Sequence, residues 1–122
     1  MLMENEIKFI NSKHRDNYLD LIKQFPEDRK YDVDIALKLL SIEEVYYITK
    51  DYIDGIEINF EDLLKDSRMS KNGLFISELA YSLISKLFVV RSISSTRKLD
   101  VDTRNFIIDI LYMYDSMENR VS

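Results

Sequence analysis

Nineteen residues, SKNGLFISELAYSLISKLF (Ser70–Phe88), constrain this chain most. Ile76, Leu79, Ala80, Leu83, Ile84 and Leu87 recur at helical spacing, with Phe75 and Phe88 flanking them. A stripe this regular predicts an amphipathic helix over about 74–88 that forms the centre of the fold. Only two glycines and one proline punctuate the 122 residues, so caps must end most elements. The chain is long enough to bury roughly two-thirds of its unfolded surface in one core.

Further helices follow from the same periodicity. Tyr18, Leu21, Ile22 and Phe25 mark one helical face, with Asn11 or Ser12 as its N-cap and Pro26 as its stop. Asp32 or Asp34 is expected to start a second helix, with Val33, Ala36, Leu37 and Leu40 on one side. Ser41-Ile-Glu-Glu44 reads as a capping box opening a third, which Gly55 closes. Ile56-Glu57-Ile58 reads as an extended link, and Asn59 as the start of a short helix ending near Lys65. The last helix, from about Asp102 to Met117, places Phe106, Ile107, Ile110, Leu111, Tyr114 and Met117 together. Between it and the central helix, Phe88 to Ile93 reads as a loop or one short β excursion. The expectation is an all-α single domain, residues 1–122, of five or six helices.

The absence of cysteine removes disulfides and thiol chemistry. With 46% hydrophobic and 32% charged residues, the composition is that of a globular protein and argues against disorder. No apolar run is long enough for a membrane span, and Glu4 and Glu6 argue against a signal peptide. A soluble protein of the host cytoplasm is the expectation, with no membrane partner. Residues 1–66 hold 16 acids and 9 bases, whereas residues 67–122 hold 6 acids and 8 bases. Such asymmetry steers partners but does not choose a fold.

The acids divide into two sets. Asp32/Asp34, Glu43/Glu44, Glu61/Asp62 and Asp100/Asp102 all fall at expected helix starts, where carboxylates meet unpaired N–H groups and the positive dipole end. Capping explains them better than metal ligation, because neither Asp-Val-Asp stretch offers the six to eight oxygen donors of a calcium site. Asp51, Asp54 and Glu57 remain unexplained, with Tyr47 off the apolar face. These four are the candidate partner-binding residues, since tyrosine adds contact area and acids attract basic surfaces.

His14, the only histidine, is expected to pack as a ring with one nitrogen bonded. Gly55 and Gly73 are isolated and make no phosphate loop, Gly73 fitting the turn that opens the central helix. No zinc spacing or nucleophile motif is present, so neither an enzyme nor a cofactor is expected. The loop RSISSTRK is the alternative site: Arg91, Arg97 and Lys98, with Arg104 beyond, could contact nucleic acid phosphates. Five bases, counting Lys86, are a small footprint on a chain of net charge −5, which makes nucleic acid the lesser expectation.

Four segments, FINSKHRDNYLDLIKQF, ALKLLSIEEVYYI, LFISELAYSLISKLF and LDVDTRNFIIDILYMY, occur in an order that resembles one group. These are small phage and prophage proteins of Gram-positive bacteria classed as a domain of unknown function. Their leucine-alanine-aromatic-x-leucine segment is matched by Leu79-Ala80-Tyr81-Ser82-Leu83, and their closing helix start loosely by Asp102-Thr-Arg-Asn105-Phe106. The tryptophan-bearing segment of that group is absent. The resemblance implies an accessory protein of a mobile element, acting in takeover or counter-defence, and carries over no catalytic residue. The expected function is therefore non-catalytic binding of a host protein with a basic surface. An anti-CRISPR-like inhibitor of a nucleic-acid-handling protein is its concrete form. A small nucleic-acid-binding regulator using residues 91–104 is the alternative, and the tyrosines and methionines could also serve a homodimer seam.

Overall fold

A computed structural model describes residues 8–54, 57–85 and 99–121, with side chains in the last stretch through Met113. The described chain is all-α. It contains α1 (Ser12–Ile22), α2 (Glu27–Leu40), α3 (Glu43–Thr49), α4 (Phe60–Leu63), α5 (Lys71–Ser85) and α6 (Val101–Val121). A 3-10 turn, Lys50–Tyr52, extends α3. The one β feature among the described residues is an isolated antiparallel bridge between Ile53 and Ile58. Residues 88–93 lie outside the described residues, as do Gly55 and the side chains of Tyr114 and Met117.

α5 is the helix of the long apolar stripe, and Ile76, Leu79, Ala80 and Leu83 are buried along it. It packs lengthwise on α2, which also touches α1, α3 and α6. From Ile35 to Leu40 every residue of α2 is buried, because neighbours cover it on several sides. Val33, Leu37, Leu40, Val45, Leu63, Ile76, Ile107 and Ile110 belong to one continuous cluster. No described helix is long and apolar enough to cross a membrane.

Three helix starts follow their local chemistry. Asn11 caps α1, its Oδ1 accepting from the His14 N–H at 2.8 Å. Asn59 caps α4 by accepting from the Asp62 N–H at 3.2 Å. Before α6, Asp100 accepts from the Thr103 N–H at 3.1 Å and the Thr103 hydroxyl at 2.7 Å. These bonds, the hydroxyl's first, hold the Asp100 carboxyl below its ordinary value. Asp100→Ala is therefore expected to lower stability by about 1 kcal/mol at neutral pH. The folded value is depressed, so that contribution is complete above the unfolded carboxyl's pKa and is lost as pH falls through the folded one. Urea titrations of both proteins at neutral and acid pH check this, the gap between them closing in acid.

Two expected helix starts are corrected. α2 begins at Glu27, directly after Pro26, rather than at Asp32 or Asp34. Proline needs no N–H partner at a helix start, and Glu27 and Asp28 supply the first-turn acids. Asp32 and Asp34 thus sit well inside the helix, beyond the reach of its N-terminal dipole. Ser41 makes no capping box either. It adopts helical φ −87° and ψ −5° as the end of α2, whereas an N-cap needs extended backbone. Its hydroxyl donates to the Lys38 carbonyl at 3.0 Å, and α3 starts after Ile42 without a side-chain cap.

Gly73 lies within the first turn of α5, not ahead of it. Its N–H donates to Ser70 Oγ at 2.9 Å, and a Cβ there would come 2.9 Å from Met69 Sδ. Close packing, rather than a turn, is what the missing side chain serves.

The inner face of α1 is unusually polar, since His14 and Asn17 are buried beside Leu21. Both side chains serve the C-terminal end of α2, whose last carbonyls have no partner within the helix. His14 Nε2 donates to the Lys38 carbonyl at 2.8 Å, and Asn17 Nδ2 to the Ser41 carbonyl at 3.1 Å. α1 is thus fastened to α2 by directed bonds as well as by Leu21.

Candidate functional site

Of the four residues singled out for partner binding, Tyr47 lies in α3, Asp51 in the 3-10 turn after it, and Asp54 and Glu57 beyond that turn. Tyr47 and Asp51 are four residues apart on one helical stretch and so share a side. Tyr47 is 45% exposed and meets the edge of Tyr46, with ring centroids 5.0 Å apart. Lys50 Nζ lies 5.2 Å and Lys13 Nζ 5.7 Å from the Tyr47 ring centroid. The Tyr47 side chain is the main reason the Lys13 ammonium is held above the ordinary lysine value. Tyr46 anchors the platform from beneath, its hydroxyl donating to Asp20 Oδ2 at 2.7 Å. That bond to a carboxylate pushes the Tyr46 phenol up to about 12.

Asp51 belongs to an ionic cluster. Its Oδ2 accepts from Arg68 Nη2 at 3.1 Å. Arg68 also grips Asp66 through Nε at 3.0 Å and Nη2 at 2.8 Å, a bidentate pairing. The Arg68 N–H and the Tyr52 hydroxyl complete the set on Asp66, at 2.8 and 2.6 Å. Four donors on one carboxylate, the Arg68 side chain foremost, hold Asp66 well below the usual carboxylate range. Asp54 pairs with Glu57: its Oδ1 accepts from the Glu57 N–H at 3.1 Å, while its own N–H donates to the Glu57 carbonyl at 3.2 Å. Glu57 projects into solvent.

Asp51 and Asp54 therefore each have an intramolecular role, and neither needs a partner to account for it. Their bonds also keep the acids in place, so a partner would meet charges already positioned. Over residues 43–68 the chain carries eight acids and three bases, a net of −5 equal to that of the whole protein. Tyr47 stands at the end of this corner where lysines gather.

Of the alternative residues, Arg91, Arg97 and Lys98 lie outside the described residues. Arg104 sits in the first turn of α6, half-buried, its N–H donating to the Asp100 carbonyl at 2.9 Å.

Sequence reasoning missed a buried polar cluster between α1 and α2. Lys38 Nζ lies 2.8 Å from Asp34 Oδ2, with the two side chains only 6% and 18% exposed. The Tyr18 hydroxyl donates to the other Asp34 oxygen, and Lys38 Nζ lies 5.8 Å from the Tyr18 ring centroid. Burial, then the bond to Asp34, pushes the Tyr18 phenol far above its ordinary value. The signal was present as an Asp-x-x-x-Lys pair, a favourable i,i+4 order, set among Val33, Ile35, Leu37 and Leu39.

His14 donates through Nε2 to a carbonyl, and its Nδ1 lone pair accepts from the Ile10 N–H at 3.1 Å. Nε2 already carries its proton, and Nδ1 can take one only by giving up the Ile10 N–H. No group of three or more His, Asp or Glu side chains among the described residues could hold a metal ion. No family model matches this sequence, and no curated protein or solved structure matches it either.

Proposed function

We propose that this chain is a non-catalytic protein-binding domain that presents its acidic α3–α4 corner to the basic surface of a host protein. The observation that carries this reading is the concentration of charge: residues 43–68 hold the protein's entire net charge of −5. Acids held by Arg68 and by the Asp54–Glu57 bonds meet a basic partner with little ordering cost. Tyr47 adds a rigid, amphipathic ring at the edge of the same corner. Charge of this kind speeds encounter and selects basic partners. In its concrete form the domain is an accessory protein of a phage or other mobile element. It occupies the nucleic-acid channel of a host enzyme by mimicking its charge.

The test is capture from a Gram-positive host lysate, before and after nuclease, with wild type and an Asp51→Lys/Asp54→Lys/Glu57→Lys variant. A basic nucleic-acid-handling protein should be retained by wild type after nuclease, released by added salt and lost in the variant. Among the described residues the Glu57 bonds are made by its backbone, so Glu57→Lys alone separates lost contact from a disturbed fold; it should weaken capture while leaving the helical spectrum unchanged. Capture that is indifferent to charge reversal would sink the proposal. Retention that depends on nucleic acid and on Arg91, Arg97, Lys98 and Arg104 would move the function to the regulator reading.

A further inference from the structure

His14 is 2% exposed and joins three parts of the molecule. Its Nε2 donates to the Lys38 carbonyl of α2, and its Nδ1 accepts from the Ile10 N–H of the segment before α1. A carbonyl only accepts and an amide N–H only donates, so these two partners select the neutral tautomer with the proton on Nε2. The ring also meets Phe106 of α6 edge-on at 4.6 Å and Phe9 at 5.0 Å. Phe9 in turn lies 6.4 Å from Phe106 and 5.2 Å from Tyr18, measured between centroids. Phe9 and Ile10 are half-buried against the core, and among the described residues the Nδ1 bond is the directed bond that ties this segment to α1.

We propose that His14 is an acid-sensitive latch for the segment preceding α1. A solvent proton added at Nδ1 abolishes the acceptor of the Ile10 amide and sets two N–H donors against each other. Phe9 and Ile10 are then released from α1 and α6 while the α2–α5 core persists.

The charged surroundings favour release over accommodation of the cation. From α2 the ring is faced by the Lys38 carbonyl, and the ammonium of that residue is bound to Asp34. Asp34 is also held by Tyr18, the titratable group one turn along α1. From α6 the facing group is the apolar Phe106 ring, and from the N-terminal segment it is Phe9. None of these gives the imidazolium a carboxylate of its own. Burial accordingly lowers the His14 pKa below its ordinary value of 6.5, against the smaller, opposite effect of the Lys38 carbonyl. With the folded value depressed, the latch is fully closed above the unfolded pKa and opens as pH falls through the folded one. Opening bares Phe9 and Phe106, an apolar surface present only in acid. This inference is independent of the acidic corner.

Because His14 is the only histidine, nitrogen-15 NMR of the full chain reads it without ambiguity. At neutral pH the ring nitrogens should report a proton on Nε2 alone. On acidification, the Ile10 amide should shift and lose exchange protection with the midpoint of the ring, while α5 amides such as those of Ala80 and Leu83 stay protected. In His14→Gln, a side chain that offers both a donor and an acceptor but does not titrate, Ile10 should show no such midpoint. A ring that titrates without moving Ile10, or one whose titration removes the α5 amides at the same midpoint, overturns the proposal. If His14→Gln does not fold, the comparison of Ile10 with α5 in wild type decides alone.

Discussion

Leu37→Ala is expected to cost about 2–5 kcal/mol of folding stability. Leu37 is 0% exposed and lies in α2, the helix that touches α1, α3, α5 and α6. A cavity there has walls from several helices, none of which can collapse into it without disturbing another. Domains of this size are stable by only about 5–15 kcal/mol, so the loss is a large share of the total. Ile76→Ala, equally buried in α5, should behave alike. Tyr31 is 68% exposed on α2, and Tyr31→Ala should stay within roughly 0.5 kcal/mol of wild type. Urea unfolding checks all three, through a lower midpoint at unchanged slope for the core variants. A Leu37→Ala protein as stable as Tyr31→Ala would mean that α2 is not at the centre.

The second large effect concerns the Asp34–Lys38 pair. Lys38→Met should cost about 3 kcal/mol, near the lower end for breaking a buried ion pair, because Asp34 retains some solvent access and the Tyr18 hydroxyl. The cost comes from stranding a carboxylate rather than from losing an attraction. Asp34→Leu/Lys38→Met should therefore recover most of the loss, as apolar replacements of buried pairs commonly do. The measurement is a double-mutant cycle by urea unfolding. Additive losses would show that the two charges act independently, against the 2.8 Å geometry.

Much of the architecture was legible because helix formation is governed by neighbours within four residues. The stripe from Ile76 to Leu83 predicted α5, and Phe106, Ile107 and Ile110 predicted α6. Asn59, and Asn11 or Ser12, read as caps because a short polar side chain ahead of an apolar run has an evident local use, and Asn11 is the one that caps α1. Even so, locality misled where two local signals competed. Asp34 resembled a helix start only because Pro26, with Glu27 and Asp28 behind it, was read as a stop alone.

The candidate corner was only half legible. Its acids and Tyr47 could be picked out, but the hold of Arg68 on Asp51 spans 17 residues and depends on how the 53–68 segment folds back. What the sequence alone determined was which stretches would be helical, which faces would be apolar and where the negative charge would lie. Tertiary structure decided which polar groups went inward. His14 reaches the carbonyl of Lys38, and Asn17 that of Ser41, each across 24 residues, once α1 lies along the end of α2. The bared carbonyls of a helix end must find donors, and no local pattern says which helix will bring them.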